Sequence, residues 1–334
     1  MPAPSRTAPR WRSPARPIRV GVSSCLLGRE VRYDGGHKRN AFVEGELGRF
    51  VEWVPVCPEV EVGMGVPRPP IRILQPEATD GEHAQRLCEV EGGRDHTAVM
   101  RHFAVRRTRE LARERICGFV LKQDSPTCGM ERVEVWRSDG ASDRSGRGFF
   151  ARALIEASPL LPVEEEQRLD DPVLRENFVE CIFAYHRLQT LLADRLGRGD
   201  LAAFHTAHEM QLLAHSRRHG HELGRLVAEA RGRSNAALGA AYSEGFMQTL
   251  RHPATPRGHG HVLRHMFGRF RTRLDDASRR ELRDAIEAYC AGRVPLLAPV
   301  TLIGQHVRRL GVDELAGQVY LDPHPTELML RNRV

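Results

Sequence analysis

The chain has 334 residues, 41% of them apolar, and a formal charge of +7; at roughly 100 to 200 residues per domain this leaves room for two domains. No apolar stretch reaches the length of about 18 residues that a spanning helix requires, so no membrane segment is expected. Seven cysteines, an odd number, do not make a disulfide framework in a chain of this size. They read as thiols or ligands. Five of the positive charges (Arg6, Arg10, Arg12, Arg16 and Arg19) lie in an acid-free stretch up to Arg19. The folded body is therefore close to neutral, which argues against a nucleic-acid partner. Residues 1–17 lack the apolar core of a secretory signal and read as a disordered Arg/Pro-rich leader, with a cytoplasmic location expected for the protein. The only lysines are Lys38 and Lys122; the dominance of arginine reads as a genome-level bias.

In chain order, Ile18 to Val22 reads as a strand, Ala41 to Phe50 as a helix and Val54 to Val56 as a second strand. Pro58 to Pro70 is a Gly/Pro-rich loop. Asp95-His96-Thr97 opens a helix whose apolar positions Met100, Phe103, Val105 and Leu111 carry it to about Ile116. Gly118 to Leu121 is the third strand. Strand and helix in alternation predict an α/β domain over 18–163, a parallel, Rossmann-like sheet with crossover helices. From about Glu164 the strand signal ends, and helical patterns run over 174–197, 202–216, 222–231, 235–250, 262–274 and 278–291. These predict an all-α domain over 164–334. Pro162 and the acidic run Glu164-Glu165-Glu166 mark the seam.

Three cysteines sit in turn-rich junctions: Cys25 in Ser-Ser-Cys-Leu-Leu-Gly, Cys57 in Pro-Val-Cys-Pro-Glu, and Cys128 in Ser-Pro-Thr-Cys-Gly. No Cys-x-x-Cys pair or zinc-finger spacing is present. Each cysteine follows a predicted strand, and parallel strands bring their C-terminal ends to one edge, where α/β proteins place their chemistry. Thiolate ligation without a nearby histidine favours an iron–sulfur cluster, with zinc as the rival and ordinary buried thiols as the bland alternative.

Ser24-Cys25-Leu26-Leu27-Gly28 with Arg32-Tyr33-Asp34-Gly35, then Cys57-Pro58-Glu59 with Pro67-Arg68-Pro69-Pro70, then Lys122 with Ser125-Pro126-Thr127-Cys128-Gly129, resembles the bacterial 2-thiouracil desulfurase family. The resemblance covers residues 18–163. It implies a [4Fe-4S] cluster held by Cys25, Cys57 and Cys128, with the fourth iron open to the sulfur of the substrate. The C-terminal half is similar to the YbgA-type domain through His208-Glu209-Met210, Leu213-Ala214-His215-Ser216, Gly258-His259-Gly260-His261, Arg293-Val294-Pro295-Leu296, Tyr320-Leu321 and Leu330-Arg331-Asn332.

For such chemistry Glu59 is the first candidate acid/base group, two residues past Cys57; a surface carboxylate or a cap is its bland alternative. Ser125 is the second catalytic candidate, against a turn-forming serine. Asp34 and Arg68 are candidate substrate-binding residues; an Asx-type turn would explain the first and an internal salt bridge the second. Glu61 is an extra carboxylate expected near the pocket, where the shorter desulfurases carry a Gly-Gly pair, and it puts 2-thiouracil itself in doubt as the substrate. Cys88, Cys117, Cys181 and Cys290 lack turn context and are excluded as ligands. The pairs His261/His265 and His208/His215 share helix faces, but packing, capping or solvation explains them better than a metal.

These readings predict an iron–sulfur desulfidase that acts on a small thiolated nucleobase, nucleoside or similar thioamide and releases hydrogen sulfide. The competing expectation is a cluster that senses oxygen or redox state and signals through the helical half. A homodimer is left open.

Overall fold

A computed structural model describes residues 17–76, 81, 84–193, 197–230 and 232–333. The expected leader, residues 1–17, lies outside these except for Pro17. Among the described residues no helix is long and apolar enough to cross a membrane. The chain divides into two compact units, one ending at Asp171 and the other beginning at Pro172.

The first unit is built on a fully parallel sheet. Strands β1 (Arg19–Ser23), β2 (Glu52–Val56), β5 (Phe119–Leu121) and β8 (Val163–Glu165) lie in the order β2-β1-β5-β8. Val20 and Val22 of β1 and all of β5 are buried, as expected of central strands covered on both faces. Parallel register aligns Ser23 with Val56 and Val22 with Val120, so β1, β2 and β5 end at one edge.

The predicted helix over 41–50 is instead a π-helical turn, Phe42–Glu46, followed by a 3-10 turn, Leu47–Arg49. Gly45 and Gly48 weaken an α-helix there, and a Cβ on Gly48 would stand 2.9 Å from the Trp53 indole nitrogen. The loop expected from Pro58 opens with a single helical turn, α1 (Pro58–Glu61). Helix α2 (Thr97–Arg113) buries Met100, Phe103, Ala104 and Leu111, while Val105 faces solvent. It stops before Ile116 because Arg115 is left-handed, with φ 56°. Helix α3 (Phe149–Ala157) packs on α2, and Phe103, Phe150 and Phe119 meet between the helices and the sheet.

A second sheet, absent from the sequence expectation, joins β3 (Ile71–Gln75), β4 (Arg86–Glu89), β6 (Val133–Arg137) and β7 (Ser142–Gly146) in the order β4-β3-β6-β7, with only the β3–β6 pair parallel. The acidic run at 164–166 does not mark the seam, since Val163–Glu165 pairs with β5 as the edge strand of the first sheet.

The second unit is helical: α4 (Pro172–Ala193), α5 (Arg198–His215), α6 (Arg217–Ala228), α7 (Asn235–Leu250), α8 (Pro256–Phe270), α9 (Asp276–Cys290) and α10 (Leu297–Leu310) lead its order. Ser216, Ser234, Thr255 and Asp275 each accept a backbone N–H from the first turn they precede, which fixes four helix starts. Helix α10 lies beyond the last predicted helix, and its Pro299 falls in the first turn, whose N–H groups have no helical partner to lose. Met210, Val262, Leu263, Met266, Phe270, Leu282 and Ile303 form an apolar core.

Beside that core lies a buried charged network. Gln211 donates to Glu180 at 2.8 Å, His215 Nε2 stands 3.5 Å from the same carboxylate, and Arg331 stands 3.7 Å from it. Arg331 also donates to the Tyr320 carbonyl, and the Tyr320 hydroxyl meets His259 Nδ1 at 3.0 Å. His208, His215, His259, Tyr320 and Arg331, all from motifs singled out in the sequence, are buried. Burial works against the Glu180 carboxylate, yet His215 and Arg331 outweigh it and hold its pKa well below 4.5. Burial likewise opposes charge on His215, but Glu180 raises its pKa above 6.5.

Two predictions follow from packing and charge. A Cβ on Gly148 would stand 2.4 Å from the Thr127 carbonyl oxygen and 2.8 Å from the Cys128 amide, both backbone atoms, so Gly148→Ala is expected to lower unfolding free energy by about 2–3 kcal/mol in denaturant titrations. Glu180→Gln, which removes the carboxylate facing His215 and leaves Arg331 with Glu176 as its remaining partner, is expected to cost about 3–5 kcal/mol. The Glu180 share of this stability is present above pH 4.5 and lost as pH falls through its depressed value; the His215 share is present below pH 6.5 and lost as pH rises through its raised value. The difference between wild type and variant should therefore peak between pH 4.5 and 6.5.

Candidate active site

At the shared edge of β1, β2 and β5 a cavity of about 450 Å³ opens, lined by Cys25, Cys57, Glu59, Arg68, Ser125 and Cys128 among others. Its walls are short segments that leave the strands. Cys25 lies in the 3-10 turn Ser24–Leu27 directly after β1, closed by Gly28 at φ 78°, a conformation glycine adopts without steric cost. The Cys25 carbonyl accepts from the amides of Gly28 and Lys38. Cys57 follows β2 and caps α1, where Pro58 occupies the first helical position without sacrificing a bonded N–H. Cys128 follows β5 in a loop held by Ser125, whose hydroxyl oxygen accepts from the Cys128 amide at 3.1 Å and the Thr127 amide at 3.3 Å.

Glu59 stands at the centre of the polar wall. Its Oε1 accepts from the Thr127 hydroxyl at 2.6 Å, and its Oε2 lies 3.5 Å from Cys57 Sγ and 4.0 Å from an Arg68 nitrogen. Thr127 has one hydroxyl hydrogen, committed to Glu59; the 3.1 Å contact between Ser125 and Thr127 is then a donation from Ser125. A directed chain runs Ser125, Thr127, Glu59. Thr127 was missed in the sequence, and nothing in its position beyond adjacency to Cys128 signals this contact.

Arg68 is 5% exposed at its side chain and donates to the carbonyls of Val31 and Gly65 at 2.9 Å each, so its cation is fixed beside Glu59. Asp34 is not among the lining residues. Its carboxylate accepts the Gly36 amide at 3.0 Å, which, with the nearby Arg32, lowers its pKa; this is the Asx-type turn. Glu61 does not line the cavity either, which corrects the expectation of an extra carboxylate there. It turns back to accept the Cys57 amide at 2.9 Å and faces Arg107 at 3.5 Å. Both lysines of the chain, Lys38 and Lys122, do line it. Lys122 Nζ donates to Glu166 at 2.5 Å and to the Gln123 carbonyl at 2.9 Å.

Burial pushes the Cys25 thiol up to about 11 and the Cys57 thiol up to about 12, and the charge of Glu59 adds to both. Burial and Glu59 push Cys128 well above 9.0. Three thiolates beside a carboxylate in this setting need a cationic centre to offset them, and ligation would release their protons. Among the described residues no group of three His, Cys, Asp or Glu side chains is drawn together for a single ion. A multi-iron group takes one thiolate per iron, so its three sulfur donors need not converge on a point. The donor set fits such a group.

Residues 20–166 match the family described as 2-thiouracil desulfurase, and residues 210–325 match DUF1722, described as a protein of unknown function. The chain is 35% identical over 167 residues to the uncharacterized protein YbgA of Escherichia coli K12, an alignment covering 50% of this chain and 96% of YbgA. It is 30% identical over 145 residues to the uncharacterized protein YbbK of Bacillus subtilis 168, covering 43% of this chain and 95% of YbbK. A solved structure of the [4Fe-4S]-dependent thiouracil desulfidase TudS aligns with 30% identity over 48% of this chain and 99% of its own, with a TM-score of 0.38. The chain thus belongs to the 2-thiouracil desulfurase family through its first unit and to the YbgA-like DUF1722 family through its second.

Proposed function

We propose that the cavity is the active site of a desulfidase in which Cys25, Cys57 and Cys128 hold a [4Fe-4S] cluster and the substrate is a thiolated nucleobase, nucleoside or similar thioamide. The observation that carries this reading is the meeting of three thiols with Glu59 on one cavity wall, in a unit that belongs to the desulfurase family. A cavity of about 450 Å³ lies within the range of small-molecule sites.

When bound, the cluster supplies a soft Lewis-acidic iron for the thiocarbonyl sulfur. The protein supplies the proton transfers. Water adds to the carbon and sulfur leaves, so a C=S bond and water become C=O and hydrogen sulfide. Glu59 Oε2, on the side away from Thr127, takes a proton from the attacking water and returns it to the ring nitrogen. Thr127 holds Oε1 and Ser125, which itself lines the cavity, holds Thr127, which fixes the carboxylate. Arg68 sets a positive charge beside Glu59 while tied to two carbonyls. A sensor needs neither a carboxylate nor a cavity, and on that ground the enzyme is preferred to a redox or oxygen-sensing module.

Anaerobic purification should give about four irons and matching sulfide per chain with a broad charge-transfer band. Cys25→Ser, Cys57→Ser and Cys128→Ser should each lose them. Glu59→Gln should keep the iron and lower kcat for sulfide release from thiolated bases by about 10²–10⁴-fold. A single bound zinc, or cysteine substitutions that alter stability alone, would overturn the assignment.

A further inference from the structure

We infer that Glu165 and Glu166 are positioning residues of the centre, holding from β8 the loop that carries Lys122 and Cys128. The acidic run at the end of the first unit has no part in the reaction itself. Glu165 is nonetheless 3% exposed, and an acid is rarely buried that deeply without a partner. Its Oε1 accepts the Met130 amide at 2.7 Å, two residues past Cys128. Glu166 Oε2 accepts the Gln123 amide at 2.8 Å, and its Oε1 accepts Lys122 Nζ at 2.5 Å.

The loop is therefore clamped at both ends by successive residues. Glu165 is the last residue of β8 and Glu166 the next one, so the two carboxylates reach the loop from adjacent positions. Parallel pairing aligns Leu121 with Glu165, which sets the carboxylates level with the point where the loop leaves β5. The loop turns through Asp124, left-handed at φ 59°, and its middle is held elsewhere: the Thr127 carbonyl accepts the amides of Phe150 and Ala151 in the first turn of α3. The Lys122 amide also donates to the Ser23 hydroxyl at 3.0 Å and the Gly129 carbonyl accepts the Gly148 amide at 2.8 Å; what the two carboxylates add is a hold on the Lys122 ammonium and on the amides of Gln123 and Met130.

The catalytic meaning of the clamp rests on the desulfidase reading, but its test needs neither substrate nor cluster. The full-length chain, stripped with chelator and reductant, is pulsed with iodoacetamide, and each cysteine is read by mass spectrometry. In Glu165→Ala, Cys128 is expected to alkylate about tenfold faster, the ratio for one lost hydrogen bond to a charged acceptor, while buried Cys117 keeps its wild-type rate. Glu165→Gln retains a carbonyl oxygen for the Met130 amide and should restore the slow rate. In parallel, Glu166→Ala is pulsed with an amine acylating reagent, and Lys122 is expected to react about tenfold faster with Lys38 unchanged. Unchanged rates at Cys128 and Lys122 would overturn the inference. So would equal acceleration of Cys117 and Cys128, or of both lysines, since that is general loosening. Absence of iron from the purified protein would instead count against the desulfidase reading and leave the alkylation result standing.

Discussion

Burial makes negative charge expensive at every sulfur of the cavity, and Glu59 makes it more so. Cys25, Cys57 and Cys128 are all pushed to high pKa by desolvation first and by this carboxylate second. A pocket that gathers three buried thiols and a carboxylate, with Arg68 and Lys122 fixed nearby, supports the proposed cluster, whose positive core would offset those charges on ligation. The surrounding backbone serves the same end. Amides of Gly28 and Lys38 bind the Cys25 carbonyl, Glu61 binds the Cys57 amide, and Ser125 binds the Cys128 amide. Each cysteine is held through its main chain.

What could be read from the sequence divides along physical lines. β1 and β5 were visible because central parallel strands buried on both faces become continuous apolar runs, and the edge strand β2 because Val54 and Val56 turn one apolar face inward. The edge strand β7 was not, because Ser142–Gly146 is polar and mostly exposed and carries no hydrophobic pattern. The cysteines could be placed at one edge because parallel connectivity requires it. Side-chain direction could not. Glu59 and Glu61 are two residues apart, and one turn of α1 sends the first into the cavity and the second back to Cys57, since residues at that spacing do not share a helix face. Thr127 gave no signal at all, because its importance is a contact with a residue 68 positions away.

The helical unit shows the same limit. Its helices were legible from 3.6-residue periodicity and caps, and the order α4 to α9 follows the predicted sequence. Its motif histidines were read as packing, capping or solvated groups. His261 is half-buried and His265 exposed, whereas His208, His215 and His259 are buried; Glu180 faces His215 and is shared with Arg331 and the neutral Gln211, and His259 lies within reach of Glu180 and Arg331. Periodicity reports which face of a helix is inward. It does not report that the inward face carries ionised groups whose partners come from Arg331, over a hundred residues away.

In a chain whose fifty basic residues include only two lysines, both of those lysines line one cavity. Elsewhere the guanidinium serves every purpose of positive charge, so composition alone would suggest that the exceptions are incidental. Lys122 shows otherwise: its compact ammonium fits between the Glu166 carboxylate and the Gln123 carbonyl, a space that a planar five-donor fork would fill differently. Primary-amine side-chain chemistry in this protein is thereby confined to the lining of a single chamber, and once the α-amino group is blocked an amine-selective fluorophore would report on that chamber without any engineered handle.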